Sequence, residues 1–307
     1  MLASLPGVEL VAVVDSNRAR AEEIAANVGS RPLFDAADLV GKVDAVSVAT
    51  PTEHHLAIAR PLLLSGVHVL VEKPMTRSLQ EADDMMAAAA TGGALLAVGH
   101  TERFNPAVEA ARPLLVDPRF IEVHRLGTFP ERSLDIDVVF DLMIHDLDVV
   151  LSLVNSPVES IEAVGVPVLT MRVDIANVRI RFANGCIANL TASRISRDRT
   201  RKIRFFQPAE HAALAAYVSI DYAAQKVEVW RVERGLGPLP AIKGGDLAVA
   251  NDEPLKRELA DFMDAIRTGR PPAVDGTQGR RALALAQQIV DRMTTDARLS
   301  AVSVPIS

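Results

Sequence analysis

The sequence holds one cysteine, Cys186, no long apolar run and no excess of basic residues. A lone cysteine excludes an internal disulfide and suits a reducing compartment. No stretch approaches the roughly 18 apolar residues that span a bilayer. The amino terminus lacks a basic region ahead of its short apolar run, so it does not read as a signal peptide. A cytoplasmic protein with no membrane partner is therefore expected. With 33 basic against 39 acidic residues the net charge is −6. That balance gives no general affinity for nucleic acid, whose binding rests on phosphate neutralisation. HExxH, clustered cysteines and internal repeats are absent too, and no metal is expected. Most telling is the lack of any GxGxxG loop. "VELVAVVDSNRARAEEIA" reads as an apolar strand ending on Asp15 and running into a helix. In nucleotide-binding sheets such an acid follows a glycine-rich phosphate loop by about 20 residues.

What is present is a core: 49% of the 307 residues are hydrophobic, enough for two domains of ordinary size. Up to residue 100, short apolar runs ("LVAVVD", "VDAVSVAT", "VHVLVE", "ALLAVGH") alternate with helical patterns. Continuous apolar runs indicate strands covered on both faces, and their alternation with helices predicts a parallel, doubly wound α/β sheet. Ser78 and Glu81 stand at capping-box spacing, and Gly92-Gly93 closes the same helix. Pro61 should kink or shorten the helix it sits in. From about residue 118 the period changes to two. "RVDIANVRIRFANGCIANLTAS" reads as a hairpin turning at Asn184-Gly185, and "AYVSIDY" and "KVEVWRVER" continue a mainly antiparallel open sheet. Two helical patterns close the chain. The expected division is 1–100, a nucleotide-binding domain, and 101–307, an α+β domain supplying the substrate site.

Ligands of parallel sheets bind at the carboxyl ends of the strands. Asp15, Thr50-Pro51, Glu72-Lys73-Pro74 and His100-Thr101 occupy such ends. Asp15 alone would be a helix N-cap. Beside three other polar strand ends it reads as a ribose recogniser, one that repels a 2′-phosphate and so selects NAD over NADP. Lys73, leaving a buried strand, can donate to a substrate oxygen and stabilise negative charge developing there; the bland alternative is a surface Glu-Lys pair. In "FDLMIHDLDVVLSLV", Asp141 and His145 share a helix face, as a general acid/base and its orienting carboxylate do. A metal pair and a core histidine are the other readings of that spacing, with Asp146 and Asp148 then solvated or capping. His55 follows the Thr50-Pro51 strand end. "SRISRDRTRKIRFF" concentrates arginines, Arg194 and Arg199 among them, that read as a solvated loop or a diphosphate clamp.

"VATPTEHHLAIA", "GVHVLVEKPMT", "GHTERFNPAV", "DLMIHDLD" and "EPLKRELADFMDAIRTGRPPAVDG" resemble, in order and over almost the whole chain, the stations of the glucose–fructose oxidoreductase, inositol dehydrogenase and rhizopine-catabolism (Gfo/Idh/MocA) oxidoreductases. The resemblance implies a Rossmann domain followed by an α+β domain with a large open sheet, used for homo-oligomers such as dimers or tetramers. It implies NAD(P)-linked oxidation or reduction of a sugar or polyol. By match to its motifs, Lys73 and His145 are catalytic with Asp141 beside them, and Asp15, Thr50, Pro51, His55, Glu72, Lys73 and Arg103 lie on the cofactor side. "GHTERFNPA" with "DVVFDLMIHDLDVVLSLV" is most similar to the branch of UDP-N-acetylglucosamine 3-dehydrogenase-like enzymes. A UDP-sugar would then meet Lys73, Asp141, His145, Arg194 and Arg199. Two departures stand out. The family's glycine pair ahead of the DxxxH motif is replaced by "DIDVVF", and its first strand and glycine loop have no counterpart. An upstream start or a degenerate paralogue, binding sugar nucleotides without cofactor, is the expectation from the second. A dehydrogenase of free sugars or polyols is the further alternative.

Overall fold

The computed structural model describes residues 1–129, 136–208, 216–233 and 241–302. They form two compact units, Met1–Thr101 with Glu253–Leu283 and Glu102–Asp252 with Ala284–Ser307. The first crossing falls beside the expected boundary at 100; the return of Glu253–Leu283 to the first unit differs from the expected division.

In the first unit β1 (Ala12–Val14) pairs in parallel with β2 (Arg31–Leu33). A second parallel sheet has the order β3 (Ala45–Val48), β4 (His68–Glu72) and β5 (Leu96–Gly99). The strands expected as one sheet thus fall into a pair and a triplet. The strand β2 escaped the sequence reading because Pro32 sits at its centre and breaks the apolar run. Helices α1 (Arg18–Val28), α2 (His55–Leu64) and α3 (Leu79–Gly92) alternate with the strands. Ser78 caps α3 by accepting from the Glu81 N–H, and Gly93 ends it in the left-handed region. Pro61 does not stop α2, which continues three residues past it; the cost of a mid-helix proline falls in the last turn.

The second unit opens with α4 (Pro106–Ala111) and carries an eight-stranded sheet. Its strands are β6 (Phe120–Leu126), β7 (Val158–Val166), β8 (Ile175–Phe182), β9 (Ile187–Ser193), β10 (Thr200–Phe206), β11 (Tyr217–Asp221), β12 (Lys226–Glu233) and β13 (Ala241–Leu247). The order is β13-β12-β11-β10-β6-β9-β8-β7, antiparallel throughout except for β6 beside β9. Alternation places Ile121, Val123, Ile203, Phe205, Val218 and Ile220 on a buried face, the half-covered sheet predicted by the period of two. The β8–β9 turn forms at Asn184-Gly185: the Gly185 N–H closes on the Phe182 carbonyl, and Gly185 takes φ +85°, where a side chain would be strained. Helix α5 (Ile144–Leu153) follows a five-residue π-helical turn, Val139–Met143.

The chain then returns to the first unit through α6 (Pro254–Thr268) and the start of α7 (Gly276–Val302). Leu259 and Phe262 of α6 join Leu5, Leu70 and Ala97 in one core cluster, while Arg267 donates to the carbonyls of Pro6 and Gly7. This apolar face is what draws the segment back. Gly279 lets α7 lie against β5, since a Cβ there would meet Val98 at 2.5 Å.

Candidate active site

In the first unit the strand ends carry the predicted residues. Asp15, just past β1, is not the cap of α1. Asn17 is, accepting from the Arg20 N–H, and Asp15 instead accepts from the Asn17 N–H at 2.8 Å. The other Asp15 oxygen lies 3.5 Å from the exposed guanidinium of Arg20, and the side chain stays 32% exposed. The carboxylate is therefore shaped by its turn yet open to a ligand.

Thr50, Pro51, His55, Glu72 and Lys73 come together around the ends of β3 and β4. Glu72 closes β4, and its Oε2 accepts the Lys73 N–H at 3.2 Å. Burial pushes the Glu72 carboxyl above the usual carboxylate range, opposed by that N–H and by the charges of Lys73 and His55. Lys73 and Pro74 are half-buried, joined by a cis peptide bond. His55, expected on the cofactor side, is 1% exposed and spans two carbonyl oxygens, Thr50 O at 2.8 Å and Met75 O at 3.2 Å. Its ring is a brace of this loop pair rather than an open contact.

In the second unit Asp141 and His145 do not share one regular helix. Asp141 lies in the π turn and His145 in the first turn of α5, both half-buried. A π turn widens the helix locally and recurs at functional sites. Asp137, from the segment that replaces the family's glycine pair, supports this turn. Its carbonyl accepts from the N–H groups of Phe140 and Asp141, and its carboxylate from the Val173 N–H.

Asp146 and Asp148 are neither solvated nor capping; each is 1% exposed. Asp146 takes both arms of buried Arg125 at 2.6 and 3.0 Å, and Arg125 also donates twice to Glu102. Asp146 and Glu102 outweigh burial and hold the Arg125 guanidinium charged, with its pKa raised. Asp148 accepts Arg103 in the same forked manner, at 2.9 and 2.6 Å. Arg103, placed on the cofactor side by motif, is thereby a tether of α5. The sequence did carry a signal for these pairs: Arg125 sits at an inward position of β6, and two acids interrupt the apolar run of α5. Charges are seldom buried unless paired.

Arg194 and Arg199 part company. Arg194 is fully buried, donating to Asp174 at 2.9 Å and to the carbonyls of Ile136 and Val173 at 2.8 and 3.2 Å. Its guanidinium is committed to the protein interior, which corrects its reading as a phosphate contact. Arg199 is exposed, 3.3 Å from the Thr128 hydroxyl. Among the described residues no group of three or more His, Cys, Asp or Glu could hold a metal ion, and no helix is long and apolar enough to cross a membrane.

Residues 1–100 match the model of the oxidoreductase family with an NAD-binding Rossmann fold, and residues 115–207 that of the GFO/IDH/MocA C-terminal domain. The chain is 40% identical over 285 residues to the UDP-N-acetylglucosamine 3-dehydrogenase of Acidithiobacillus ferrooxidans, covering 92% of this chain and 88% of that one. A solved structure of that enzyme superimposes with a TM-score of 0.85 at 38% identity, over 92% of this chain and 89% of the other. The NAD(+)-dependent scyllo-inositol 2-dehydrogenase of Bacillus subtilis is 28% identical over 89% of this chain and 83% of its own. With its Rossmann-like first unit and its large mixed sheet, the chain belongs to the Gfo/Idh/MocA family of oxidoreductases.

Proposed function

We propose that this oxidoreductase uses NAD to oxidise a sugar hydroxyl of a UDP-sugar, the C3 hydroxyl of UDP-N-acetylglucosamine being the first candidate. The observation that carries this reading is the 40% identity, over 92% of the chain, to a dehydrogenase of that substrate.

The residues present fit the ribose and reactive ends of a nicotinamide dinucleotide. Asp15 offers an open carboxylate oxygen for ribose hydroxyls at the end of β1. Thr50, Pro51 and Lys73 stand at the ends of β3 and β4. When bound, the nicotinamide supplies a hydride acceptor for the sugar carbon. His145 takes the hydroxyl proton as that carbon is oxidised, with Asp141 beside it in the π turn. Lys73 donates a hydrogen bond to a substrate oxygen and stabilises negative charge developing there. Arg199 serves the diphosphate of the substrate. The first test is an assay of UDP-N-acetylglucosamine, free sugars and polyols with NAD and with NADP, read from nicotinamide absorbance. Turnover of free polyols alone would sink the sugar-nucleotide reading. Binding of UDP-sugar with neither NAD binding nor turnover would favour a cofactor-free protein.

The dinucleotide preference rests on Asp15 and its neighbour. Asp15→Ala removes a charged acceptor, worth about 1.5–3 kcal/mol. NAD should weaken by roughly tenfold to 150-fold, and Arg20, freed from its carboxylate, should then favour a 2′-phosphate. Titrating both dinucleotides into the variant checks this; an unchanged ratio of affinities would confine Asp15 to its turn.

The open face of the large sheet supports a homo-oligomer. Phe120, Phe206, Tyr217 and Trp230 stand opposite one another on β6, β10, β11 and β12, forming one aromatic row. Phe206 packs 5.5 Å from Phe120 and 5.2 Å from Tyr217, and Trp230 remains 38% exposed. Aromatic residues are enriched where protein surfaces meet. Trp230→Glu should shift the protein towards monomer in sedimentation; an unchanged mass would place the contact elsewhere.

A further inference from the structure

We infer that His55 is a positioning residue for Lys73, its ring donating through both nitrogens to fix the loops after β3 and β4. The inference rests on the proposed role of Lys73.

His55 opens α2 and is buried. Its Nε2 lies 2.8 Å from the carbonyl oxygen of Thr50, two residues past β3, and its Nδ1 lies 3.2 Å from that of Met75, two residues past Lys73. Carbonyl oxygens only accept. A neutral imidazole has one N–H and one lone pair, so one contact would set two lone pairs against each other. The ring that satisfies both carbonyls carries an N–H on each nitrogen. Glu72 at the end of β4 is the acid on these loops whose carboxyl, raised by burial, is lowered in part by His55. Thr50 and Met75 face the ring with their carbonyls. Glu53 and His54, on the preceding turn, are exposed and pair with each other at 3.7 Å.

The consequence is mechanical. Lys73 is the residue after β4, and nothing in a strand end by itself fixes where a flexible four-carbon side chain begins. By holding Met75 to Thr50, the ring spans the segment on which Lys73 sits, and Glu72 takes the Lys73 N–H from the other side. Removing the ring frees the Met75 and Thr50 carbonyls, while no atom that would touch a substrate is lost.

Two measurements on the full chain test this. The first is nitrogen-15 NMR of histidine-labelled wild-type protein, with His55 assigned through bonds, at the pH of the kinetic assay. Protons on both ring nitrogens are expected; a bare nitrogen on His55 would overturn the inference, whether or not the UDP-sugar is turned over. The second compares His55→Gln and His55→Asn, whose single amide nitrogen cannot reach both carbonyls. In whichever variant folds, kcat per folded molecule should fall about 10- to 100-fold, the range for a misplaced catalytic group, with a smaller change in KM. A lowered Tm with kcat unchanged would reduce His55 to a structural residue. Absence of wild-type turnover on any sugar would remove the proposed reaction and leave the NMR result to decide the brace.

Discussion

Lys73→Met is expected to lower kcat by about 10²–10³-fold, the usual loss when a donor to a developing oxyanion is removed. His145→Gln should lower it by about 10²–10⁴-fold and abolish the rise of rate with pH that a general base confers. In both variants KM for the sugar should change less than kcat, because each interaction strengthens only as charge develops. The fold should survive: both side chains are half-buried at the end of a strand or the start of a helix, not in a core. Lys73→Met carries a second signature. Burial raises the Glu72 carboxyl, and Lys73 is one of the influences pulling it down. Without the ammonium the folded-state pKa rises further. A carboxyl raised on folding favours the native state at low pH. That contribution is lost as pH rises from the ordinary carboxylate value through the raised one, so the variant should lose more stability than wild type over that interval. Steady-state kinetics and thermal melts across pH check both effects. Near-normal kcat in either variant, on a substrate the wild type turns over, would remove that residue from the chemistry.

The parts of this fold governed by local pattern were legible in the sequence. The parallel strands announce themselves as continuous apolar runs, although only β4 and β5 are buried while β1 and most of β3 are half-buried or exposed, and the hairpin is announced by Asn184-Gly185. The caps of α3 follow from Ser78, Glu81 and Gly93. What escaped was governed by distant partners. The strand β2 is three residues long with a proline at its centre, so no run marks it. The segment from 253 reads as an amphipathic helix in isolation; only the Leu5, Leu70 and Ala97 surface that covers Leu259 and Phe262 assigns it to the first unit. The charged residues followed the same division. Lys73 and Asp15 are placed by their strands, whereas the use made of Arg103, Arg125 and Arg194 depends on acids 45, 21 and 20 residues away. Arginines crowded together in "SRISRDRTRKIRFF" look equivalent, yet strand phase and the turn at Asp174 bury one and expose the next.

That separation gives the second large expected effect. Arg194→Ala should destabilise the protein by about 3–5 kcal/mol, as breaking a buried ion pair does by leaving its partner without a counter-charge. Asp174 accepts the N–H groups of Val168, Leu169 and Thr170 at 2.7–2.8 Å besides Arg194. Burial opposes ionisation of Asp174, but these donors and the Thr170 hydroxyl outweigh it and hold the carboxyl far below its usual range. Stability from such a group is present above the ordinary carboxylate pKa and is lost as pH falls through the depressed folded value. Those donors remain in Arg194→Ala and keep the Asp174 carboxyl depressed, but losing the guanidinium beside it raises the folded value, so the variant should lose less stability than wild type on acidification, from a lowered baseline. KM for the UDP-sugar, per folded molecule, should not move. Arg199→Ala should do the reverse. Its side chain is exposed, so stability should stay within about 0.5 kcal/mol of wild type. Loss of a charge-assisted phosphate contact, about 1.5–3 kcal/mol, should raise KM by roughly tenfold to 150-fold, most strongly at low salt. Denaturant unfolding and steady-state kinetics on the two variants read the contrast directly. A rise in KM without loss of stability in Arg194→Ala would restore that residue to the substrate, and a silent Arg199→Ala would make Arg199 an ordinary solvated side chain.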